Sequence, residues 1–388
     1  MIEKNPAAES QPSLWRKILR TLLSVPITAV CLVVTALLLS ALFGHVGAST
    51  TAPQTEAFIM DKFDQYVTNE IMTKLGDFMD VERVYWLNDN DQVAPKPNQA
   101  NFGETDDPTS LQWLLDDAAG LLDGQETLFS TDVEIVPGSV VSYYLDETIL
   151  AIAWKQGING CVYSFSEVKI AHPTQFRRFL SEGQYGSGVL HTTSEMAASV
   201  NAVMASAADY YSYRGFGLLV NNGTVYKNKA NNLDTCFIDD EGDLLFATPE
   251  ELEGEGVLEK YIEDHNVRFS ISFGPILLVD GEYQGPVRYP VGEIGEEYSR
   301  AALCQLGKLH YAVVTANMER YYPMVPNLRS FAKHLAEQGI TKAYTLDGGQ
   351  TATIVMNNKV YNTVSYGAER QISDIIYFAT ALPGSQSE

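Results

Sequence analysis

The stretch YTLDGGQTATIVMNNKVY, residues 344–361, joins two apolar runs through an Asp-Gly-Gly turn. The glycines of this turn permit a positive φ and let a neighbouring group approach the backbone closely. Both an ordinary turn and an active site use that freedom, and Asp and Gly dominate turns in general. Taken alone, Asp347-Gly348-Gly349 is therefore more typical of a plain bend than of a site. The residues around it decide the question.

Three segments before the turn predict a strand, a helix and a second strand. LHYAVVTA (309–316) has the pattern of a buried strand, Pro326 to Gln338 that of an amphipathic helix, and TKAYTLDGG (341–349) that of the next strand. This order predicts a right-handed crossover between parallel strands. Asp347 would then follow the carboxyl end of the second strand, where ligands gather in open α/β sheets.

Hairpins dominate the residues that precede this crossover. From about Val133 the chain alternates short β-rich runs with breaks, and tight turns are predicted at Asn222-Gly223, near Glu241-Gly242 and at Asp280-Gly281. Helical insertions are predicted near Pro173, carrying Phe176, Phe179 and Leu180, and over Thr193 to about Ala207.

The N-terminal part has a different composition. Residues 21–43 contain no charged side chain and are long enough to cross a bilayer core of about 30 Å. Arg16, Lys17 and Arg20 precede them, so the positive-inside bias places the N-terminus in the cytoplasm. A cleaved signal peptide is the alternative, with cleavage near Ala48, but the length of the apolar segment favours a retained signal anchor.

These patterns together predict an α+β protein. Its core is a mixed β-sheet with hairpins and a C-terminal β-α-β crossover, preceded by one transmembrane helix and a helical stalk region. The predicted divisions are a cytoplasmic tail (1–20), a transmembrane signal anchor (21–43), a linker and helical membrane-proximal region (44–132) and a globular domain (133–382). The protein is predicted to be single-pass in the cell membrane, with its C-terminal domain outside the cell.

Charge excludes one class of partner. The 388 residues carry a formal net charge of −23, whereas binding of nucleic acid requires a basic surface. Residues 1–20 carry four basic and two acidic side chains, so the remainder carries −25. Cys161, Cys236 and Cys304 are far apart and lack metal-ligand spacing, which indicates small core residues rather than a zinc site.

Five segments in a fixed order carry a family resemblance. They are ADYYSYRGFGLLVNNGTVY (208–226), SFGPILLVDG (272–281), SRAALC (299–304), DGGQTAT (347–353) and ERQISDIIYF (369–378). Over roughly residues 160–382 the chain resembles the phosphodiester glycosidase domain family, whose bacterial relatives are associated with exopolysaccharide biosynthesis. The resemblance implies a hydrolase that cleaves a sugar-1-phosphodiester at its glycosidic bond, so the predicted partner is a cell-surface glycan or a sugar phosphodiester.

The resemblance also implies roles for particular residues. Asp347 and Glu369 are the candidates for the acid/base or nucleophile pair, with Asp209 as a third carboxylate. The candidates for substrate binding are Arg300, Arg370 and Arg214 for the phosphate, the backbone N–H groups of Gly348 and Gly349, and the hydroxyls of Thr351 and Thr353. No metal ligands and no cofactor are predicted, and a divalent cation stays open.

The chain departs from the family pattern at four places. Ala207-Ala208 replace an Asn-Gly pair, Asn317-Met318-Glu319 replace an Asp-Gly-Arg, Gln350 replaces a third glycine and Thr351 replaces a serine. These losses define the alternative function, a catalytically degenerate glycan-binding or scaffolding domain at the cell surface. Retention of Asp347-Gly348-Gly349, Arg300 and Glu369-Arg370 favours the enzyme.

Overall fold

The computed structural model describes residues 86–88, 91–209, 211–229, 231–286, 288–291 and 294–382. The predicted cytoplasmic tail (1–20), the signal anchor (21–43) and residues 44–85 of the predicted linker and helical region lie outside these residues. No helix among the described residues is long and apolar enough to cross a membrane. The extracellular location of the C-terminal domain stays a prediction.

The described residues form mainly β-strands. Numbered in chain order, they are β1 (Phe102–Thr105), β2 (Val141–Leu145), β3 (Ile149–Ile158), β4 (Cys161–Ile170), β5 (Phe176–Leu180), β6 (Met204–Ala207), β7 (Gly217–Asn221), β8 (Thr224–Lys229), β9 (Thr235–Ile238), β10 (Leu244–Ala247), β11 (Phe269–Ile271), β12 (Ile276–Val279), β13 (Glu282–Tyr283), β14 (Arg300–Gly307), β15 (His310–Asn317), β16 (Lys342–Leu346), β17 (Ile354–Met356), β18 (Lys359–Val360) and β19 (Asp374–Phe378).

The helices are short. The α-helices are α1 (Gln112–Asp117), α2 (Ala119–Leu122), α3 (Thr193–Ser199), α4 (Val257–Asp264) and α5 (Leu328–Glu337). Single 3-10 turns lie at Pro173–Gln175, Tyr211–Tyr213, Gly349–Thr351 and Ser365–Gly367.

The strands form three antiparallel sheets. The large sheet has the order β1-β2-β3-β4-β15-β14-β16-β12-β13, the second has β10-β9-β11-β7-β8, and the third has β18-β17-β6-β19-β5. One face of the large sheet packs against both smaller sheets, since Val168, Cys236 and Phe378 share one core cluster. Its other face is covered by α1, α2 and α5 through residues such as Leu114 and Phe331. Helices α3 and α4 pack on the third and second sheets, respectively.

The predicted α+β fold class with a mixed sheet is therefore wrong. Every strand pair in the described residues is antiparallel, and the fold is mostly β-sheet with few helices. The predicted strand, helix and strand do form as β15, α5 and β16, but β14 lies between the two strands and pairs antiparallel with both. β15 and β16 run in the same direction without pairing, so the crossover passes over one strand.

Two predicted helical insertions also need correction. Phe176, Phe179 and Leu180 lie in strand β5, because only the 3-10 turn Pro173–Gln175 precedes it. The insertion at Thr193 ends as helix at Ser199, and the chain then becomes strand β6. Apolar residues in strands that are buried on both faces lack the alternation that identifies a strand, so such segments resemble buried helices in sequence.

Candidate active site

The Asp-Gly-Gly turn is pressed against the start of strand β14. The Gly349 N–H donates to the Ser299 carbonyl over 2.9 Å. A Cβ on Gly348 would lie 2.5 Å from that same carbonyl oxygen, so only glycine fits there. Gly349 has a φ of +65°, which also favours glycine. The turn is thus more than a bend, because it brings the backbone after β16 into direct contact with the strand that pairs beside it.

Asp347 follows the last residue of β16 and is buried. Its Oδ2 accepts a hydrogen bond from Arg370 Nη2, and the side chain is 10% exposed. Burial raises the pKa of Asp347 to about 6, although the Arg370 charge, the Thr351 side chain and the Gly348 backbone lower it. The charge of Asp209 also raises the pKa of Asp347, so the two carboxylates interact electrostatically. A carboxyl with a pKa near 6 can exchange a proton close to neutral pH.

Arg370 connects Asp347 with the surface. Its side chain is 32% exposed, and its guanidinium lies 5.2 Å from the centre of the Tyr213 ring. The Tyr213 hydroxyl donates to the Gln371 carbonyl over 2.7 Å, which fixes the ring beside the arginine. A cation that is partly exposed beside a buried carboxyl is well placed to meet an anionic group from solvent.

A buried cluster of two arginines and two aspartates supports this region from behind. Arg178 binds Asp374 with an N–O distance of 2.6 Å and lies 3.6 Å from Asp209, and Arg214 binds the other oxygen of Asp209 at 2.6 Å. All four side chains are at most 2% exposed. The Ser272 N–H also donates to Asp209 over 3.1 Å.

The cluster holds its two aspartates in different states. Burial opposes ionisation of Asp209, yet Arg214 and Arg178 keep the pKa of this carboxyl below its ordinary value. Burial raises the pKa of Asp374, and the nearby Asp209 charge contributes to the rise. Arg178 on β5 also donates to the Ser270 and Val220 carbonyls, so it ties the third sheet to the second.

Arg300 lies at the first position of β14, and the pairing of Ala301 with Leu346 brings it close to the turn. Its guanidinium stacks 3.8 Å from the centre of the Tyr298 ring and donates to the Glu296 carbonyl over 2.5 Å. Arg300 and Gly348 line the same crevice, whose volume is only about 10 Å³, enough for about one water molecule.

The remaining predicted residues have local partners. Glu369 accepts hydrogen bonds from the Ser194 N–H at 3.1 Å and hydroxyl at 2.5 Å, so it serves the first turn of α3. The hydroxyls of Thr351 and Thr353 donate to the Gly348 and Gln350 carbonyls. No hydrogen bond or ion pair found in the described part of the chain joins Glu369 to Asp347.

The segment that replaces the family's Asp-Gly-Arg has contacts of its own. The Asn317 side chain accepts from Asn362 over 3.0 Å, and Glu319 binds Lys155 at 2.9 Å and the Thr363 hydroxyl at 2.7 Å. These residues hold the 362–370 loop, which carries Arg370, against the end of β15. Glu319 thus forms a structural ion pair at the place where the sequence resemblance implies an arginine.

The described residues offer no group of three or more His, Cys, Asp or Glu side chains arranged to hold a metal ion. Cys161, Cys236 and Cys304 are buried free thiols.

The comparison with protein families identifies the segment that holds all of these predicted residues. Residues 194–379 match the phosphodiester glycosidase family. This confirms the resemblance inferred from the five sequence segments. The match includes Asp209, Arg300, Asp347 and Arg370, whereas Arg178 lies outside it. A comparison with curated proteins gave no match.

A solved structure shares the fold of this chain. The catalytic domain of zebrafish N-acetylglucosamine-1-phosphodiester alpha-N-acetylglucosaminidase, auto-inhibited by its pro-peptide, is 17% identical with a TM-score of 0.51. That match covers 67% of this chain and 92% of the zebrafish chain. A hypothetical protein from Synechocystis is 14% identical with a TM-score of 0.48, and the match covers 64% of each chain.

Arg178 and Asp374 were not predicted as site residues from the sequence. Asp374 lies in ERQISDIIYF, and Arg178 lies in FRRFL, a segment predicted as helical. Two consecutive arginines within an apolar segment are a signal, because a buried strand retains a charge only where a partner is present.

Proposed function

We propose that residues 194–379 hydrolyse a sugar-1-phosphodiester by breaking the bond between the anomeric carbon and the phosphate oxygen. The observation that carries this proposal is the pair formed by Asp347 and Arg370. It combines a buried carboxyl whose pKa is raised to about 6 with a cation that is 32% exposed. The phosphodiester glycosidase family match and the shared fold support the same reaction class.

The reaction assigns each group a task. Arg370 binds a non-bridging phosphate oxygen through its guanidinium fork. The bond from C1 to oxygen breaks, and the phosphate monoester leaves with the electron pair. A water oxygen bonds to C1 and gives its proton to the ionised Asp347 carboxylate, which later releases that proton to solvent. A phosphate monoester is a good leaving group, so full protonation by a second carboxyl is not required.

Asp209 acts through its charge in this proposal. Its side chain is fully buried, but Arg214 and Arg178 keep it ionised. Its negative charge raises the pKa of Asp347 and favours positive charge developing on the sugar ring. Asp209 is therefore a positioning and electrostatic residue, with Arg214 and Arg178 setting its state.

One set of contacts favours a second function, a binding domain without turnover. The hydroxyls of Thr351 and Thr353 already bond to backbone carbonyls, and the crevice beside Arg300 holds about 10 Å³. The hydrogen bonds occupy the two hydroxyls, and the small crevice leaves little room for a substrate beside Arg300. A binding domain would retain sugar phosphodiesters without releasing a sugar.

A hydrolysis assay separates the two functions. Wild-type protein is incubated with a panel of sugar-1-phosphodiesters, including an N-acetylglucosamine-1-phosphodiester, and the released sugar is measured. Replacement of Asp347 by Asn should reduce turnover by about 10²–10⁴-fold. Asp280→Asn is the matched control, because Asp280 is exposed in a hairpin turn with a φ of +52° that Asn tolerates. Binding of the panel without any turnover would support the second function.

A further inference from the structure

Four tyrosine rings lie near the Asp347 and Arg370 pair, one beside Arg370 and three in contact with one another. Tyr213 lies under the Arg370 guanidinium at 5.2 Å. Tyr211, two residues earlier in the same 3-10 turn, stacks on Tyr185 with 5.6 Å between ring centres. Tyr185 in turn contacts Tyr226, with 5.5 Å between centres. We call Tyr185, Tyr211, Tyr213 and Tyr226 the tyrosine strip.

Three rings of this strip face solvent. Tyr185, Tyr213 and Tyr226 are 37%, 43% and 45% exposed, whereas Tyr211, on which Tyr185 stacks, is buried. They come from three separate parts of the chain: the irregular segment after β5, the 3-10 turn before β7, and strand β8. Single exposed aromatic residues are common, but Tyr185 and Tyr226 are in contact and come from distant segments, which is typical of a binding surface.

The buried end of the strip is held rigidly. Arg178 lies 5.8 Å from the centre of the Tyr211 ring, and the Tyr211 hydroxyl donates to the Ser373 carbonyl over 3.4 Å. Lys227 donates to the Tyr211 and Arg214 carbonyls over 3.0 and 2.7 Å. The exposed rings therefore rest on a fixed base, and rigid aromatic side chains lose little conformational entropy when a ligand binds.

We propose that the tyrosine strip is a subsite for a neutral oligosaccharide continuous with the sugar phosphodiester at Asp347. Pyranose rings present C–H faces that pack on aromatic rings, and tyrosine hydroxyls form hydrogen bonds with the sugar hydroxyls at the edge of the pyranose ring. Tyr213 of the strip lies beside Arg370, where a sugar phosphodiester is proposed to bind, so a carbohydrate is favoured over a peptide as the occupant. The formal net charge of −23 opposes a polyanionic chain, so the occupant is uncharged beyond its phosphodiester. This inference rests on the proposed function for the choice of ligand.

The test measures binding of neutral tetrasaccharides that contain no phosphodiester, so it does not depend on turnover. Chitotetraose, maltotetraose and cellotetraose are titrated into the full chain by calorimetry. At least one should bind the wild type, and the double variant Tyr185→Ala/Tyr226→Ala should bind it about tenfold or more weakly. Tyr185→Phe/Tyr226→Phe keeps both rings and should retain most of the affinity. Trp113→Ala, at an exposed ring 5.7 Å from Tyr143, is the control for general loss of an aromatic.

The outcomes separate this inference from the proposed function. If no sugar phosphodiester is hydrolysed but tetrasaccharide binding falls in the alanine variant only, the tyrosine strip is supported as an oligosaccharide subsite and the hydrolase proposal fails. The inference is overturned if no tetrasaccharide binds the wild type, or if the alanine variant and Trp113→Ala bind equally well. Thermal unfolding of each variant confirms that the protein is folded. If the alanine variant does not fold, the single variant Tyr226→Ala, on the exposed strand β8, is used in its place.

Discussion

Arg370 donates a hydrogen bond to the Asp347 carboxylate, yet the positive charge does not restore the ordinary acidity of that group. Burial dominates and raises the pKa of Asp347 to about 6, with a contribution from Asp209. An ion pair that is 32% exposed on one side and 10% on the other is open to exchange of partners. The carboxyl can take up a proton and the arginine can bind phosphate, and each event changes the other.

The first prediction concerns the pH dependence of turnover. If ionised Asp347 accepts a proton from water, kcat/KM should rise as the pH increases through about 6. Arg370→Ala removes a charge that lowers this pKa, so the rise should move to higher pH in the variant. Arg320→Ala, at an exposed arginine, should leave the profile in place. An unchanged pH profile in Arg370→Ala would show that the Arg370 charge does not influence the ionisation of Asp347.

The second prediction concerns stability. Because the pKa of folded Asp347 lies above its ordinary value of 3.8, the folded state holds this proton more tightly than the unfolded state. The resulting stability is fully present below the ordinary pKa of 3.8 and is lost as the pH rises through about 6. Urea unfolding should show that the wild type loses about 3 kcal/mol relative to Asp347→Asn between about pH 3 and about pH 7. A difference between the two proteins that is constant with pH would show that Asp347 titrates normally.

The third prediction concerns the buried cluster. Arg178→Leu leaves Asp209 and Asp374 buried without their shared cation and removes a donor from the Ser270 carbonyl. The free energy of unfolding should fall by about 3–5 kcal/mol. Arg320→Leu, at an exposed site, should change it by about 0.5 kcal/mol or less. Equal effects of the two substitutions in denaturant unfolding would mean that the cluster does not hold the sheets together.

The fourth prediction concerns the turn. A Cβ on Gly348 would lie 2.5 Å from the Ser299 carbonyl oxygen, so Gly348→Ala must displace the backbone beside Asp347. We expect a loss of about 1–3 kcal/mol in stability and about 100-fold in turnover. Gly295→Ala is the control, since nothing lies within 4 Å of the added carbon and its φ is not in the left-handed region. Full activity in Gly348→Ala would show that the turn tolerates movement.

The local elements of the fold were predictable from the sequence. Hairpin turns form at Asn222-Gly223 and Asp280-Gly281, and α5 begins after Asn327, whose side chain accepts from the Ser330 N–H. These features depend on residues close in sequence, so their signals are local. The insertion of β14 between β15 and β16 depends on long-range pairing, and no local pattern distinguishes it from a direct parallel pair.

The candidate site was predictable in part. Asp347 follows β16 of the large sheet and Arg370 precedes β19 of the third sheet, and their side chains meet as a pair. Glu369 does not join them, since its side chain points from the neighbouring position toward Ser194 in α3. Adjacent residues in an irregular segment can face different elements, and sequence alone does not give that direction. The role of Arg178 was not predicted from the sequence because its partners lie on strands about 90 and 200 residues away.

The position of bond cleavage tests the central claim most directly. Wild-type protein hydrolyses a sugar-1-phosphodiester in water enriched in oxygen-18, and the phosphate monoester is analysed by mass spectrometry. Attack of water at the anomeric carbon predicts a phosphate monoester without label, with product formation greatly reduced in Asp347→Asn. A labelled phosphate monoester would show attack at phosphorus, and it would contradict the assignment of Asp347 and Arg370 to a phosphodiester glycosidase reaction.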